Sequence, residues 1–483
     1  MVQQVITWST SFALMLFLPR CLGPVDYGRL YLAMSISGIF LLAVDFDGRI
    51  AVAKRIARDP QQSGQIIVNA LSFRIILWVV AFLAMLTFGF VANYPTTVKI
   101  LILIFGLELG WLALRTVLNG LFLGHEAVKY STIGNIVERL FISAIGITAL
   151  LLGAGVIGMA IIMVTGTFLN SLLCIKFAGR MIPKIPAVDW KQTKKMIREG
   201  TSYFLWGIFG VVYYRIDSVM LSFLTPEAVV GWYGASYKFF DVLSFLPGIF
   251  SLSILPVLSK LRGKEEGKLA QTTQKGLNFM VIAGIPISIL IYFYAELIIK
   301  LFFGLQGYGP SVINLQIFSI GLLLVYIDMV LGTALFACDK QRQWATVAFF
   351  AMIVNVSLNA FLIPYTQKTL GNGGIGASIA TLATEYMVML SALAIMPKSV
   401  FQGSTIAVPL KAIGSGVLMT VVMRYMNLTA VPWYFGGFAG AAIYCAALFL
   451  FRTFSANEVE LMKSLLSPRN LLKTFALNKG ASA

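Results

Sequence analysis

The chain has 483 residues, of which 58% are hydrophobic and only 12% are charged. So low a charged fraction excludes a soluble globular protein, and apolar runs of about 20 residues match the length that an α-helix needs to cross a bilayer. A net charge of +17 would suggest nucleic acid as a partner of a soluble protein, but membrane topology accounts for it here. We therefore predict an all-α polytopic membrane protein with no nucleic-acid partner.

In chain order, the apolar runs predict about 14 transmembrane helices of the usual ~20-residue length. The first run, residues 2–19, has no basic leader and no small-residue cleavage site, so we expect a membrane span rather than a cleaved signal peptide. The other predicted spans are residues 27–53, 65–91, 98–122, 130–152, 155–178, 201–224, 230–257, 277–302, 311–336, 344–364, 374–396, 407–426 and 433–453.

Basic residues concentrate in alternate loops, as the positive-inside rule expects. With the N-terminus inside, the inner loops hold Lys54, Arg55, Arg58, Lys129, Arg180, Lys184, Lys191, Lys194, Lys195, Arg198, Lys260, Arg262, Lys264, Lys268, Lys340, Arg342 and Lys398. The outer loops hold only Arg20, Arg29, Lys99, Lys368 and Arg424. We therefore expect a multi-pass protein of the cell (inner or plasma) membrane, with both termini cytoplasmic.

The longest interior connection, residues 180–200, contains two prolines and a basic run, which indicates a cytoplasmic linker with a surface-lying helix. It divides the chain into an N-lobe (1–179) and a C-lobe (201–396) of six spans each. Residues 397–454 add two spans, and 455–483 form a cytoplasmic amphipathic tail. Similar segments recur in order in both halves, and an even number of spans per half makes the repeat parallel. The matched pairs include Leu22-Gly23-Pro24 with Leu224-Thr225-Pro226, and Ile157-Gly158 with Ile375-Gly376.

Several short motifs occur in a fixed order along the chain. They are Leu22-Gly23-Pro24-Val25-Asp26-Tyr27-Gly28, Asp45-Phe46 with Ala57-Arg58-Asp59-Pro60, Thr225-Pro226-Glu227-Ala228, Leu255-Pro256-Val257 and Gly374-Ile375-Gly376-Ala377. In this ordered set, which covers nearly the whole chain, the protein resembles Wzx-like polysaccharide flippases of the multidrug/oligosaccharidyl-lipid/polysaccharide (MOP) superfamily. It departs from them at Asp47 and Arg49, which follow an Asp-Phe where such proteins often have Asp-Phe-Gly or Asp-Leu-Gly.

The resemblance implies two helical lobes around a cationic cavity and transport by alternating access. The implied cargo is a polyprenyl-(pyro)phosphate-linked oligosaccharide, which is flipped from the inner to the outer leaflet for surface polysaccharide biosynthesis. Anionic membrane lipids are expected against the basic surfaces. The expected protein partners are a polysaccharide polymerase or glycosyltransferases.

Charged residues inside predicted spans carry the site hypothesis, because such charges are expensive in lipid and face a cavity or a partner. If the lobes meet through spans 1, 2, 7 and 8, as the resemblance implies, the phosphate-binding cations are Arg20, Arg49, Arg215 and Lys238. Guanidinium groups suit a phosphate because their donors are forked and stay charged. The alternative is structural pairing, of Arg49 with Asp45 or of Lys238 with Asp241. Further basic candidates that pair with Glu108 or Glu138 under the same alternative are Arg74, Arg115 and Arg139.

Three carboxylates are candidates for ion coupling: Asp45, Asp47 and Asp217. A carboxylate in a medium of low dielectric constant can bind and release H⁺ or Na⁺ during transport, or it can simply neutralise an arginine. We predict no cofactor and no metal cluster, because the chain has one histidine, His125, and four dispersed cysteines. No nucleotide-binding loop or catalytic triad is present either, so we predict a transporter and not an enzyme.

Three other functions remain compatible with parts of the pattern. A lipid II flippase shares the phosphate-bearing cargo. A cation-coupled drug exporter of the MATE type predicts a more acidic cavity. A membrane glycan ligase or polymerase, from a different class, predicts a long outer loop with a catalytic Arg or His, and the outer loops here are short.

Overall fold

A computed structural model of the protein describes residues 2–46, 48–182, 186–397, 400, 403–428 and 433–454. In this part of the chain the regular structure consists of sixteen α-helices and one short 3₁₀ helix, with no strand. Asp47, a predicted coupling residue, and the predicted tail 455–483 lie outside the described residues. The prediction of an all-α fold is confirmed.

The first helices are α1 (Val2–Asp45), α2 (Gly48–Arg58), the 3₁₀ helix (Pro60–Gln62), α3 (Ser63–Val91), α4 (Thr96–Gly124), α5 (Lys129–Leu151) and α6 (Val156–Met181). They are followed by α7 (Trp190–Leu224), α8 (Glu227–Leu243), α9 (Phe245–Leu261), α10 (Glu266–Phe302), α11 (Leu305–Tyr308) and α12 (Ser311–Ala337). The last four are α13 (Gln341–Leu370), α14 (Gly373–Ile395), α15 (Gly403–Leu428) and α16 (Trp433–Leu450). Eleven described segments are long and apolar enough to cross a membrane, so the protein is a multi-pass membrane protein.

The first predicted span and most of the second belong to one helical run, α1, which is interrupted at Gly23 (φ 71°, ψ 172°). Its 44 residues would extend about 66 Å if straight, roughly twice the thickness of a bilayer core. A positive φ suits glycine, and Pro24 next to it has no amide hydrogen to donate to the preceding turn. The motif Leu22-Gly23-Pro24 therefore marks the kink between the two spans.

The second predicted span, 27–53, is broken where α1 ends and α2 begins. Phe46 (φ 31°) and Gly48 (φ 67°) both leave helical geometry there. The carbonyl oxygen of Asp45, left without a helical donor, accepts a hydrogen bond from the Arg74 guanidinium at 2.9 Å. The break turns the basic residues of α2 in a direction that a continuous helix would not give them.

The basic run of the predicted linker is also different in the structure. It forms the first turns of α7 rather than a separate surface helix, and Asp189 caps α7 by accepting from the amides of Lys191 and Gln192. At 35 residues, α7 is about 52 Å long, so part of it extends beyond the ~30 Å bilayer core.

The described chain packs as two compact units. The first consists of Met1–Phe245, Tyr294–Gly321 and Asp339–Ala394, and it contains all the predicted site residues. The second consists of Leu246–Phe293, Leu322–Cys338 and the described residues from Ile395 onward, and within it the Tyr444 hydroxyl donates to the Ile282 carbonyl at 2.9 Å. The division into lobes at residues 180–200 stays a prediction.

Helix α2 is fixed against its neighbours by an apolar core. Val52 and Ile56 are fully buried in a cluster that includes Leu121 and Phe122 of α4. The approach is close because α4 has glycines facing α2; a Cβ on Gly120 would lie 2.8 Å from the Val52 side chain. The apolar face of α2 thus sets the direction of its opposite, basic face.

Candidate functional site

A cationic cavity of about 920 Å³ lies against the basic face of α2. We call the end of α2–α6 that carries Arg58 and Arg180 the basic end, and the end that carries the turn 92–95 the opposite end. The basic side chains that line the cavity are Arg49, Lys54, Arg55 and Arg58 from α2 and Arg115 from α4. Thr116, Asn119 and Asn135 add neutral hydrogen-bonding groups. Forked, permanently charged donors beside neutral ones suit a phosphate or pyrophosphate with attached sugars.

The carboxylates near this cavity already have cationic partners. Asp45 lines the cavity and pairs with the deeply buried Arg74 at 3.1 Å. Glu138 of α5 forms an ion pair with Arg115 and also accepts from the Asn170 amide at 2.5 Å. Among the described residues the lining of the cavity therefore keeps a net positive charge, and a buried polar network holds Arg115 in place.

Arg49 is not neutralised by Asp45, although their spacing allowed that pairing. The helix ends between them, at Phe46, and Asp45 turns to Arg74 instead. Arg49 is exposed to the cavity and forms no ion pair with a carboxylate in the described part of the chain. It is free to contact a cargo.

Arg215 and Lys238 form a second cluster, with Asp241. The Arg215 guanidinium lies 3.7 Å from the Asp241 carboxylate, and both side chains are about one-third exposed. Lys238, one turn before Asp241 on α8, is also exposed. The structure thus brings Arg215 and Lys238 together, but neither lines the cavity that contains Arg49.

Arg20 lies apart from both groups. Its guanidinium donates to the last carbonyls of α10, at 3.1 Å to Phe302 and also to Leu301. A cation in this position satisfies carbonyls that the helix leaves unbonded and complements the negative end of the helix dipole. The structure therefore gives Arg20 a capping contact.

Asp217 lies in a third environment, buried and without a basic neighbour among the described side chains. It accepts hydrogen bonds from Tyr233 (2.7 Å), Asn359 (2.6 Å) and Thr381 (2.8 Å). Asn359 also bonds to Asn355, and its own side-chain oxygen is buried without a donor. One carboxylate among neutral oxygens matches the charge and the oxygen preference of a proton or a hard monovalent cation.

The sequence interpretation missed Asn355 and Asn359 of this site. The signal was available: two asparagines four residues apart lie on one face of a helix, inside an otherwise apolar predicted span. Within the described residues, no cluster of three or more His, Cys, Asp or Glu side chains could hold a metal ion.

The opposite end of the first unit is closed by contacts between α1 and α8. The Arg29 guanidinium bonds to Glu227 at 2.7 and 2.9 Å and to Asp26 at 2.9 Å. Gly28 and Gly231 let the two backbones meet, since a Cβ on Gly28 would lie 2.8 Å from the Gly231 amide nitrogen.

The turn between α3 and α4 adds a contact at the same end. The Tyr94 hydroxyl hydrogen-bonds to Ser222 of α7 at 2.7 Å. Burial raises the pKa of Tyr94, so its phenol stays protonated and keeps this bond at neutral pH. The cationic cavity lies at the basic end. These contacts seal the opposite end where α1, α7 and α8 meet, and a separate pocket of about 320 Å³, lined by Arg29, Tyr94 and Glu227, lies beside them.

The sequence matches two protein-family models, and the fold resembles a solved structure. A model of the polysaccharide biosynthesis protein family matches residues 1–262, and a model of the lipid II flippase MurJ matches residues 132–441. The solved lipid II flippase MurJ, in an inward closed conformation, superposes with a TM-score of 0.74 over 93% of this chain and 97% of its own, at 14% identity, which shows a shared fold.

Two sequence relatives are also flippases by name. The probable flippase AglR of Haloferax volcanii is 26% identical over 290 residues, or 55% of this chain and 57% of AglR. The probable low-salt glycan biosynthesis flippase Agl15 of the same organism is 22% identical over 76% of this chain and 75% of its own. The aligned part thus spans little more than half the length of AglR.

The fold and the two family models place the chain among polysaccharide biosynthesis and MurJ-like membrane proteins, in agreement with the family resemblance of the sequence motifs. More particularly, the chain belongs to the polysaccharide biosynthesis protein family, whose model matches more than half of it.

Proposed function

We propose that the protein flips a polyprenyl-(pyro)phosphate-linked oligosaccharide across the membrane by alternating access. The observation that carries the proposal is the cationic cavity, in which Arg49, Lys54 and Arg58 have no carboxylate partner among the described residues. A phosphate that enters from the inner leaflet replaces lost hydration with charge-assisted hydrogen bonds. The relatives support a glycan cargo, since Agl15 is named for glycan biosynthesis.

In this proposal the basic end faces the cytoplasm, as the loop charges predict, and both termini lie on that side of the cell membrane. The sealed opposite end then corresponds to a state that accepts cargo from inside. A polymerase or a glycosyltransferase acts before or after the flip, because the sugars must be assembled and then used. The protein itself transports and does not catalyse.

The second cluster supplies the next cation contact along the path. Arg215 and Lys238 share one carboxylate, Asp241, so they attract a phosphate less strongly than the cavity does. We propose that the phosphate passes from Arg49 and Arg115 to this cluster as the opposite end opens. Arg20 caps α10 and acts in this path only through the stability of that helix end.

Asp217 provides the coupling site in this proposal. Binding of H⁺ or Na⁺ neutralises a carboxylate that is otherwise buried with only neutral donors. Asp45 is less suited to this role because Arg74 already neutralises it. The ion is identified by measuring the melting temperature of the purified protein in Na⁺ and in K⁺ over a range of pH.

A cationic drug exporter is disfavoured because a cavity with five basic residues repels organic cations. A lipid II flippase has the same head-group chemistry as our proposal, and the glycan that accumulates in a deletion strain distinguishes the two. If lipid-linked peptidoglycan precursor accumulates and surface glycan is normal, the cargo is lipid II.

The test is complementation of a deletion strain, with surface glycan and intracellular lipid-linked glycan both measured. The double variant Arg49→Ala/Lys238→Ala should lose at least tenfold in export while the lipid-linked intermediate accumulates inside. Arg180→Ala, an exposed change at the end of α6, is the control and should export normally. Wild-type export by the double variant at equal protein level would refute the site.

A further inference from the structure

An apolar groove opens between α3 and α4, next to the cationic cavity. It has a volume of about 440 Å³, and its walls include Leu71, Ile75, Trp78, Leu107, Trp111 and Leu114. Leu71 lies eight residues from the start of α3, about 12 Å along the helix, and Trp78 about 22 Å. The groove therefore faces the hydrocarbon region in the half of the helix pair nearer the basic end.

One ion pair separates this groove from the cavity. Arg74 lines the groove, is only 1% exposed and pairs with Asp45 at 3.1 Å. Asp45 in turn lines the cationic cavity. The apolar groove and the cationic cavity are thus separated by the Asp45–Arg74 ion pair.

We propose that this groove binds the isoprenoid tail of the carrier lipid while its phosphate lies in the cavity, with the Asp45–Arg74 pair between the two. The inference rests on the proposed function, because it concerns the same cargo. An amphiphile held by its phosphate at Arg49 must lead its tail into lipid nearby, since burying a long hydrocarbon chain among five basic residues is unfavourable.

The groove suits a branched, unsaturated chain. Trp78 is fixed, because its indole nitrogen donates to the Gly106 carbonyl at 2.9 Å and its ring lies on Gly110. With Trp111 it provides rigid aromatic surfaces, which gain more from flat isoprene units than from a flexible saturated chain.

The same helix pair contains an internal control. A second groove, of about 380 Å³, lies between α3 and α4 near the opposite end. It is also mainly apolar and also holds one cation, Lys99, which lies 5.1 Å from the Phe90 ring. Neither groove shares a lining residue with the cationic cavity, but the first is joined to it through the Arg74–Asp45 pair, whereas the second lies near the opposite end. Ordinary membrane lipid fills both grooves alike, whereas a tail tethered to a phosphate in the cavity reaches only the first.

Photo-cross-linking tests the proposal with a matched pair of positions. Leu107 lines the first groove and Leu103 the second, and both are 43% exposed on the same helix. A benzophenone amino acid is placed at one or the other position in the full chain, in vesicles that contain a radiolabelled C20 prenyl diphosphate. We expect at least tenfold more labelled adduct at position 107 than at position 103. Excess unlabelled prenyl diphosphate should remove the adduct, and a saturated analogue of the same length and head group should compete less effectively. Equal labelling at the two positions, or equal competition by the saturated analogue, would overturn the assignment.

An export assay separates this inference from the proposed function. Leu107→Trp fills the first groove and should reduce glycan export at least tenfold, while Leu103→Trp should export normally. Binding of inorganic pyrophosphate to the purified protein should be unchanged in both, because the cavity is intact. If wild-type protein restores export and Leu107→Trp restores it equally, the tail site is wrong and the flippase stands. If wild-type protein restores no lipid-linked glycan export, the proposed function itself fails.

Discussion

Reversing the charge of Arg29 should open the sealed end of the protein. This guanidinium contacts Glu227 and Asp26 at 2.7–2.9 Å, and the three side chains are 25%, 34% and 36% exposed. An exposed ion pair contributes about 0.2–1 kcal/mol, and forked, charge-assisted bonds about twice that. Arg29→Glu removes both attractions and adds repulsion from two carboxylates. After allowance for solvent screening, we expect the free-energy difference between the closed and the open state to change by about 2 kcal/mol. The ratio of open to closed molecules then rises roughly 30-fold.

A single cysteine reports the opening. Ser218 is 1% exposed and lies one turn deeper on α7 than Ser222, which holds the closing contact with Tyr94. In a background without the four native cysteines, Ser218→Cys should react slowly with an impermeant maleimide added on the outer side. Arg29→Glu should raise this rate about tenfold or more, by the population shift estimated above.

The swap Arg29→Glu/Glu227→Arg should return most of the labelling rate toward that of the parent, with a coupling energy of about 1 kcal/mol in the double-mutant cycle. Lys99→Glu, a charge reversal at the same end that leaves the Arg29 contacts intact, should change little. Unchanged labelling in Arg29→Glu, or a swap as open as the single variant, would show that these contacts do not hold the end closed.

Three further outcomes follow from the site. Glu138→Gln leaves Arg115 without its carboxylate in a largely buried network, so we expect the free energy of unfolding to fall by about 2–3 kcal/mol and the melting temperature in detergent to fall with it. The double variant Glu138→Leu/Arg115→Met should restore most of this stability, and an unchanged melting temperature in Glu138→Gln would contradict the network. Asp217→Asn should abolish any dependence of melting temperature and export on the coupling ion, and a dependence equal to wild type would exclude Asp217. Gly231→Ala should hold α1 and α8 apart and raise maleimide labelling in the same assay. The control Gly210→Ala, which has open space around it, should not raise the labelling. Equal labelling of the two variants would exclude the α1–α8 contact at Gly231 as part of the seal.

Much of the architecture was predictable because a bilayer restricts the options. A run of ~20 apolar residues must form a helix, so the predicted spans fall on helices, although 27–53 and 230–257 are each divided between two of them. The errors occur where backbone and side chains cooperate over long distances. The break at Phe46 depends on Arg74, 28 residues later, which satisfies the carbonyl and the carboxylate of Asp45. Gly48, which has a positive φ, is a local signal for the break, but no local pattern identifies the partner of Asp45.

The site shows the same division. Composition indicated that cations would be buried or face a cavity, and Arg49 does line one. Which carboxylate neutralises which cation depended on tertiary packing: Asp241, the candidate partner of Lys238 on the same helix, also pairs with Arg215 from α7. The amide groups around Asp217 went unrecognised because asparagine carries no charge and gave no signal in a search based on ionisable residues.

The arrangement of charge suggests how a tightly held phosphate can still move. Transport requires a site that is favourable enough to enter and weak enough to leave. The cavity presents three cations without described carboxylate partners. The next cluster presents Arg215 and Lys238, which share Asp241, with Arg139 also near Lys238, and the surroundings of Asp217 contain no described cation. The attraction for an anion therefore decreases from the basic end toward the opposite end. Binding of the phosphate in the cavity is then favourable. Its movement from the cavity toward the opposite end costs free energy until an ion neutralises Asp217 and removes a negative charge that repels the cargo. A coupling ion in this scheme acts on the field that the phosphate experiences and need not touch the cargo.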